Sequence, residues 1–256
     1  MRGNEYQQLY ICSQLVNRLG EMEEQGRLTP GKQIMVIPCV NPYSMNVQKR
    51  FWSIDNTDIN RMFPGYSLGE TTQRIAAGVF EAVQDFPLGV QFSSFYMPGA
   101  FVPHVRMMKT GYEDPELACQ FGLPYVILHA PRPFDTTTPN YNWQIWETKA
   151  FSLYTNSNGR VDQASAREAV ESVLGFLAGQ GLLRYHRYGG FLSRIVESKD
   201  MVSLRAKRAG VFESFVPPGQ EMEPGVPLFR ILDPYLGTEQ SRQTAPEAGT
   251  VAFIRD

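Results

Sequence analysis

The residues of this 256-residue chain best equipped for chemistry lie in one stretch, where Arg50, Asn60 and Arg61 follow one another within a segment that also holds Asp55 and Asp58. The mixed aromatic and charged content of this stretch favours a functional role. Asp55 and Asp58 could bind a hard cation with Glu5, or Asp58 could form an Asx turn or a salt bridge that holds Arg61. Three histidines are available to a metal or a proton-transfer site: His104, His129 and His186. His104, in Phe101-Val102-Pro103-His104-Val105-Arg106, is read as a metal ligand or general base, against a structural reading in which it bonds to backbone. His129 is a similar case, and His186 beside Tyr185 and Arg187 reads as interdomain packing. Glu147, among Trp143, Gln144 and Trp146, could act as an acid or base if its loop folds over a cleft. Arg106, Lys109, Arg132 and Tyr141 are further candidates for anion contacts, against a reading of each as a surface charge or an aromatic packing residue.

These residues need a scaffold. Leu9, Ile11, Cys12, Leu15, Val16 and Leu19 recur at helical spacing right after Arg2-Gly3-Asn4-Glu5. Residues 34–38 (Ile-Met-Val-Ile-Pro) form a continuous apolar run of the kind buried as a strand in a mixed or parallel sheet. Residues 41–70 read as a long loop, which in a compact domain is usually functional or disordered, and its mixed aromatic and charged content favours function. Helical spacing returns at 71–85, a strand is expected at 88–95, a short helix at 115–121 and a strand at 125–128. Residues 132–141 read as a proline- and threonine-rich loop, 150–154 as a strand and 163–182 as an amphipathic helix. Helices alternating with buried strands predict a three-layer α/β domain. From about Phe191 the texture changes to short strand-like runs punctuated by Gly and Pro, with Ala209-Gly210-Val211 echoed 39 residues later at Ala248-Gly249-Thr250-Val251. That is the pattern of a second, all-β unit. An opening helix with no buried strand before it, and a last run at 251–254 that reads as a strand awaiting a partner, lead us to expect missing segments at both ends.

Composition excludes several classes. Hydrophobic residues at 43% and charged residues at 20% match a folded globular chain rather than a disordered or fibrous one. A formal charge of -2 offers no positive field for nucleic acid or an anionic membrane, and the apolar runs are far shorter than the ~20 residues that span a bilayer. Cys12, Cys39 and Cys119 are too few and scattered for a disulfide framework or a cysteine-rich zinc site, which fits a reducing cytoplasm.

Gly3-Asn4-Glu5 at a helix start, Asn41-Pro42, Arg50, Asp58-Ile59-Asn60-Arg61 and Phe63-Pro64-Gly65 together resemble the succinylglutamate desuccinylase/aspartoacylase family. The resemblance implies the zinc-carboxypeptidase-like fold: a three-layer α/β/α domain with a mixed sheet over residues 1–187, then a smaller, lipoyl-like and incomplete β domain over 188–256. It implies a zinc held by a His-x-x-Glu pair and a later His, with a Glu that moves the proton of a zinc-bound water. It assigns Asn60 and Arg61 to the substrate carboxylate and Arg50 to the scissile carbonyl. At the metal positions the chain departs from the pattern. Arg2 stands where the first histidine is expected, leaving Glu5. Gln91-Phe92-Ser93, in the strand before Tyr96, puts Ser93 at the second histidine. Counting back from Gly159-Arg160-Val161-Asp162 puts Tyr154 at the catalytic glutamate.

Two functions follow as expectations. By family, the chain hydrolyses the amide bond of a small N-acyl amino acid or related carboxylate, with Arg50 and Glu147 as catalytic residues, Asn60, Arg61, Arg106 and Tyr154 contacting substrate, and Glu5 with His104 holding the zinc that the family implies. In the alternative, it is a metal-free carboxylate-binding member. Either way the expected partner is a small-molecule carboxylate, with no nucleic acid or membrane, in the cytoplasm, and a homo-oligomer is left open.

Overall fold

The computed structural model describes residues 1–95, 97–155 and 160–255, so Tyr96 and Gly159 lie outside the described residues. A five-stranded mixed sheet forms its centre, built from β1 (Leu88–Ser93), β3 (His104–Met108), β4 (Tyr125–His129), β5 (Lys149–Tyr154) and β6 (Arg194–Glu197) in the order β1-β5-β3-β4-β6. β1 runs parallel to β5, β3 is antiparallel to β5, and β3, β4 and β6 run parallel to one another. β6 follows the change of texture at Phe191, yet it adds to the edge of this first sheet.

Two helices cover one face. α1 (Tyr6–Glu24) presents Ile11, Leu15, Leu19 and Met22, a stripe at i, i+4, i+8 and i+11, and α6 (Gln163–Gly179) presents Ala166, Val170, Val173, Leu174 and Leu177. Both stripes meet Val105, Met107, Val126, Leu128, Phe151 and Leu153 of the sheet in one core. The helix starts are tied together. Asp162 caps α6 through its carboxylate, which accepts from the backbone N–H groups of Ala164 and Ser165, while the Gln7 side-chain amide bonds both backbone groups of Asp162 at 3.0 and 2.8 Å. At the centre, Phe121 stacks on Phe176 at 4.0 Å and Phe151 meets both edge-on. Phe176→Ala should therefore cost about 3–5 kcal/mol, the usual penalty for emptying a fully buried ring site, as read by a denaturant titration.

The other face is polar. Strand alternation puts Gly89, Gln91 and Ser93 of β1 beside Ala150, Ser152 and Tyr154 of β5 and His104 and Arg106 of β3. Over it lie α5 (Pro139–Ile145), whose Trp143 sits against Gly89, and the segment holding Asn60, whose side chain meets Gln91. α3 (Thr71–Val83) completes this layer, with Ala76 and Phe80 packing on Phe63 and Trp143. The short helices α2 (Pro42–Asn46) and α4 (Pro115–Cys119) complete the helical set.

Three expectations are corrected. Residues 34–38 take no regular secondary structure and belong to no sheet among the described residues. Ile34 and Val36 pack on the core while Met35 (49% exposed) and Ile37 (38%) face outward, because apolar alternation secures packing on one side without securing a hydrogen-bonding neighbour. The 132–141 loop ends in α5: Thr138 caps it by accepting from the Tyr141 N–H, and Pro139 occupies the first turn, where its missing N–H costs nothing. The long loop at 41–70 contains α2 and a single 3-10 turn at Ile59–Arg61.

Residues 211–254 form short strands: β7 (Val211–Ser214), β9 (Pro227–Leu232) and β10 (Glu239–Thr244) in one antiparallel sheet, and β8 (Glu221–Met222) with β11 (Gly249–Thr250) in a pair. Val216, Met222, Leu228, Phe229, Ile231 and Ala245 form their core. β12 (Phe253–Ile254) pairs with β2 (Ala100–Phe101), so the C-terminal strands clasp the segment that follows β1. Gly99 makes that approach possible, since a Cβ there would strike the Ile254 carbonyl and the Phe253 ring.

Candidate functional site

The opening turn of α1 is pressed against the loop that carries the arginines. The Gly3 N–H donates to the Arg50 carbonyl at 3.1 Å, and a side chain at Gly3 would collide with the backbone of Ser44 and Lys49. Glycine before Asn4-Glu5 is thus required by a close backbone contact.

Glu5 is buried there with both carboxylate oxygens occupied. Oε1 accepts from Arg2 Nη1 at 3.3 Å and from Ser94 Oγ at 2.8 Å, and Oε2 accepts from the Arg2 backbone N–H at 2.9 Å and the Met1 amino group at 3.2 Å. Burial alone would raise the carboxyl, but the Met1 amino group, the Arg2 guanidinium and these hydrogen bonds prevail and hold it at about 2. The Arg2 fork continues to Asp58, with Nε at 3.2 Å and Nη2 at 2.8 Å from Oδ2, while Asp58 Oδ1 accepts from the Asn60 N–H at 3.1 Å. Asp58 therefore starts the turn that aims Asn60, and its ion pair goes to Arg2 rather than to Arg61. Asn60 Oδ1 accepts from Gln91 Nε2 at 2.8 Å.

The remaining arginines divide into paired and unpaired. Arg61 donates to the Phe134 carbonyl and to Asp135 Oδ1, and its guanidinium lies 5.0 Å from the centroid of the Phe134 ring. Arg132 flanks the same ring at 5.0 Å and shares Asp135. Arg50 is different: half-buried, its guanidinium lies 5.5 Å from the Phe51 ring and makes no hydrogen bond or ion pair with any described residue. Burial and the neighbouring charge of Arg2 both lower its pKa, against the pull of Glu5 and Asp58.

His104, Tyr154 and Ser93 form one lateral row across β3, β5 and β1. The His104 ring stacks on Tyr154 at 4.8 Å and 4°, with Nδ1 against the Val102 carbonyl at 2.8 Å. Phe95, Phe101 and Phe253 close around the pair. Burial, with a smaller contribution from Arg106, pushes His104 down to about 4 despite its bond to Val102. Glu147 is exposed beside the start of β5, so the length of that strand, roughly 17 Å at ~3.3 Å per residue, separates it from the Tyr154 end. His129 ends β4, with burial and Arg106 holding it at about 4, and His186 packs edge-on against Tyr188.

The side chains at this end do not suit the zinc that the resemblance implies. A metal at Glu5 would need a free carboxylate oxygen and neighbouring neutral donors. Instead both oxygens are engaged, a guanidinium lies between Glu5 and Asp58, and no group of three His, Cys, Asp or Glu able to hold a metal occurs among the described residues. The geometry brings Glu5, Arg50, Asn60 and Arg2 together at one end of the sheet and carries Arg106 on the adjoining face. Sequence reasoning missed Ser94 and Asp135. A signal for Asp135 existed, since an acidic residue three positions after Arg132 accepts the Arg132 N–H at 3.0 Å and caps the short turn at Pro133–Asp135.

Residues 1–88 match the Succinylglutamate desuccinylase/Aspartoacylase catalytic domain. Among solved structures, the chain is similar to a succinylglutamate desuccinylase/aspartoacylase from Rhodobacter sphaeroides, with a TM-score of 0.79 and 21% identity over 98% of this chain and 77% of that one. It is similar to the product-bound ectoine utilization protein EutE (DoeB) from Ruegeria pomeroyi, at 0.77 and 19% over 98% and 77%. An aspartoacylase family protein from Mesorhizobium loti follows at 0.76 and 20% over 99% and 77%. No curated protein matches the chain. No helix among the described residues is long and apolar enough to cross a membrane.

Proposed function

From a chain that is a desuccinylase/aspartoacylase relative in its first 88 residues and in its fold, we infer a protein that recognises a small carboxylate of the N-acyl amino acid class. The observation that carries this reading is Arg50, a half-buried guanidinium without a protein partner among the described residues, beside the closed Arg2–Glu5–Asp58 network. A cation left this way gains most from an anionic or strongly polarised oxygen supplied by a ligand. Asn60, with Oδ1 spent on Gln91, keeps its Nδ2 donors for the same ligand, while Arg61 shapes the pocket wall through Phe134 and Asp135. Tyr154 and His104 contribute an aromatic wall. In this reading Glu5 orders the loop through Arg2, and recognition proceeds without a metal.

The second reading, hydrolysis of the ligand's amide bond, is favoured by the catalytic-domain signature over residues 1–88 and by the deacylase descriptions of the structural neighbours. It needs a metal at Glu5, and so needs Arg2 displaced. Calorimetric titration with N-acyl amino acids, run with and without chelator and paired with an amide-hydrolysis assay, separates the two. Expected is binding that ignores the chelator and weakens about 10- to 100-fold in Arg50→Gln, the worth of a charged hydrogen-bonded pair. Chelator-sensitive hydrolysis would establish the second reading in its place, and the absence of any binding would remove the first.

A further inference from the structure

Beneath the segment that holds Asn60, the sheet carries a cation that the loop arginines do not explain. Arg106 lies in the middle of β3, opposite Ser152 and on the face shared by Gln91, Tyr154 and His104. Although half-buried, its guanidinium makes no hydrogen bond and no ion pair with any described residue, and its Nε is shut off from solvent with no acceptor. Neither neighbouring histidine offers a negative charge. The layer above is also unfinished. Asn140 on α5 is 2% exposed with neither amide atom bonded, and Gln144 Oε1, one turn further on, is buried without a donor. Trp143 against Gly89 fixes α5 on the face of the sheet that carries Arg106.

A buried N–H without an acceptor, on a cation with no counter-charge among the described residues, costs stability, and a ligand oxygen is one way to supply what is missing. We propose that Arg106 receives an anionic group of the ligand, a carboxylate, from the sheet side of the pocket, and so sets a preference for ligands that carry a second negative end. This rests on the carboxylate-recognition reading above and adds a specificity residue to it. A carboxylate on the Arg106 guanidinium would supply the counter-charge that no described residue gives it.

The test compares wild type, Arg106→Met, Arg106→Lys and Arg50→Gln by thermal unfolding, alone and with succinate or its monoamide. Arg106→Met should lose the preference for succinate over the monoamide. Arg106→Lys, which keeps the charge, should retain part of that preference. A wild-type preference that survives in Arg106→Met would overturn the assignment while leaving carboxylate recognition through Arg50 standing. If neither compound shifts the wild type or any variant, the assignment falls together with the reading it rests on.

Discussion

Acidification from pH 7 to pH 5 should lower the melting temperature on the order of 10 °C, well before the carboxylates titrate. His104 and His129 are held neutral in the folded chain at about 4, chiefly by burial, against about 6.5 in an unfolded one. A depressed histidine gives stability that is complete above pH 6.5 and is lost as the pH falls toward 4, because over that window the unfolded chain binds the extra proton. At pH 5 each group accounts for about 2 kcal/mol, and two of them take a large share of the ~5–15 kcal/mol that holds a typical domain. Glu5 extends the loss in the same direction. Its carboxyl, held at about 2, gives stability present above its unfolded value of 4.5 and lost as the pH falls through 2. His104→Phe, which retains a ring to stack on Tyr154, should remove close to half of the drop between pH 7 and pH 5. A melting temperature flat across that interval would mean that the two rings are charged or solvated in the folded chain.

Zinc binding should appear when Arg2 and Ser93 are both changed to histidine. Arg2→His withdraws the guanidinium that fills the space between Glu5 and Asp58 and frees Oε1 of Glu5 from one of its donors. Ser93 ends β1 next to Ser94, whose hydroxyl already reaches Glu5, so a histidine at 93 starts from the strand end nearest that carboxylate. Two imidazoles and a carboxylate form a three-donor set of the kind that holds catalytic zinc. Metal analysis after dialysis should find stoichiometric zinc in the doubly substituted chain and only traces in wild type and in each single variant. Stoichiometric zinc in the wild type would show that Arg2 yields to the metal, and its absence from the double variant would show that positions 2 and 93 do not converge on Glu5.

How much could be read in advance depended on whether a residue's role is local. The helix at the chain start was legible because Ile11, Leu15 and Leu19 repeat at its period, and the 41–70 loop stood out through its arginines and asparagines. The Arg2–Asp58 ion pair was not legible. It joins residues 56 positions apart, and the nearer Arg61 was the more economical partner for Asp58 until its bonds to Phe134 and Asp135 were seen. Glu147 looked close to the chemistry because tryptophans surround it in sequence, yet they pack beneath α3, where Trp146 meets Phe80 edge-on. The run at 34–38 failed for another reason: side-chain pattern encodes which face is buried, while backbone pairing depends on what stands alongside.

The clasp between β12 and β2 ties the fate of the two halves of the chain together. Phe253 reaches Phe95 from the C-terminal strands, and Phe95 in turn touches Tyr154 and His104. Aromatic rings thus run unbroken from one set of strands to the other, so loosening the C-terminal strands should also loosen the stacked His104 and Tyr154 rings.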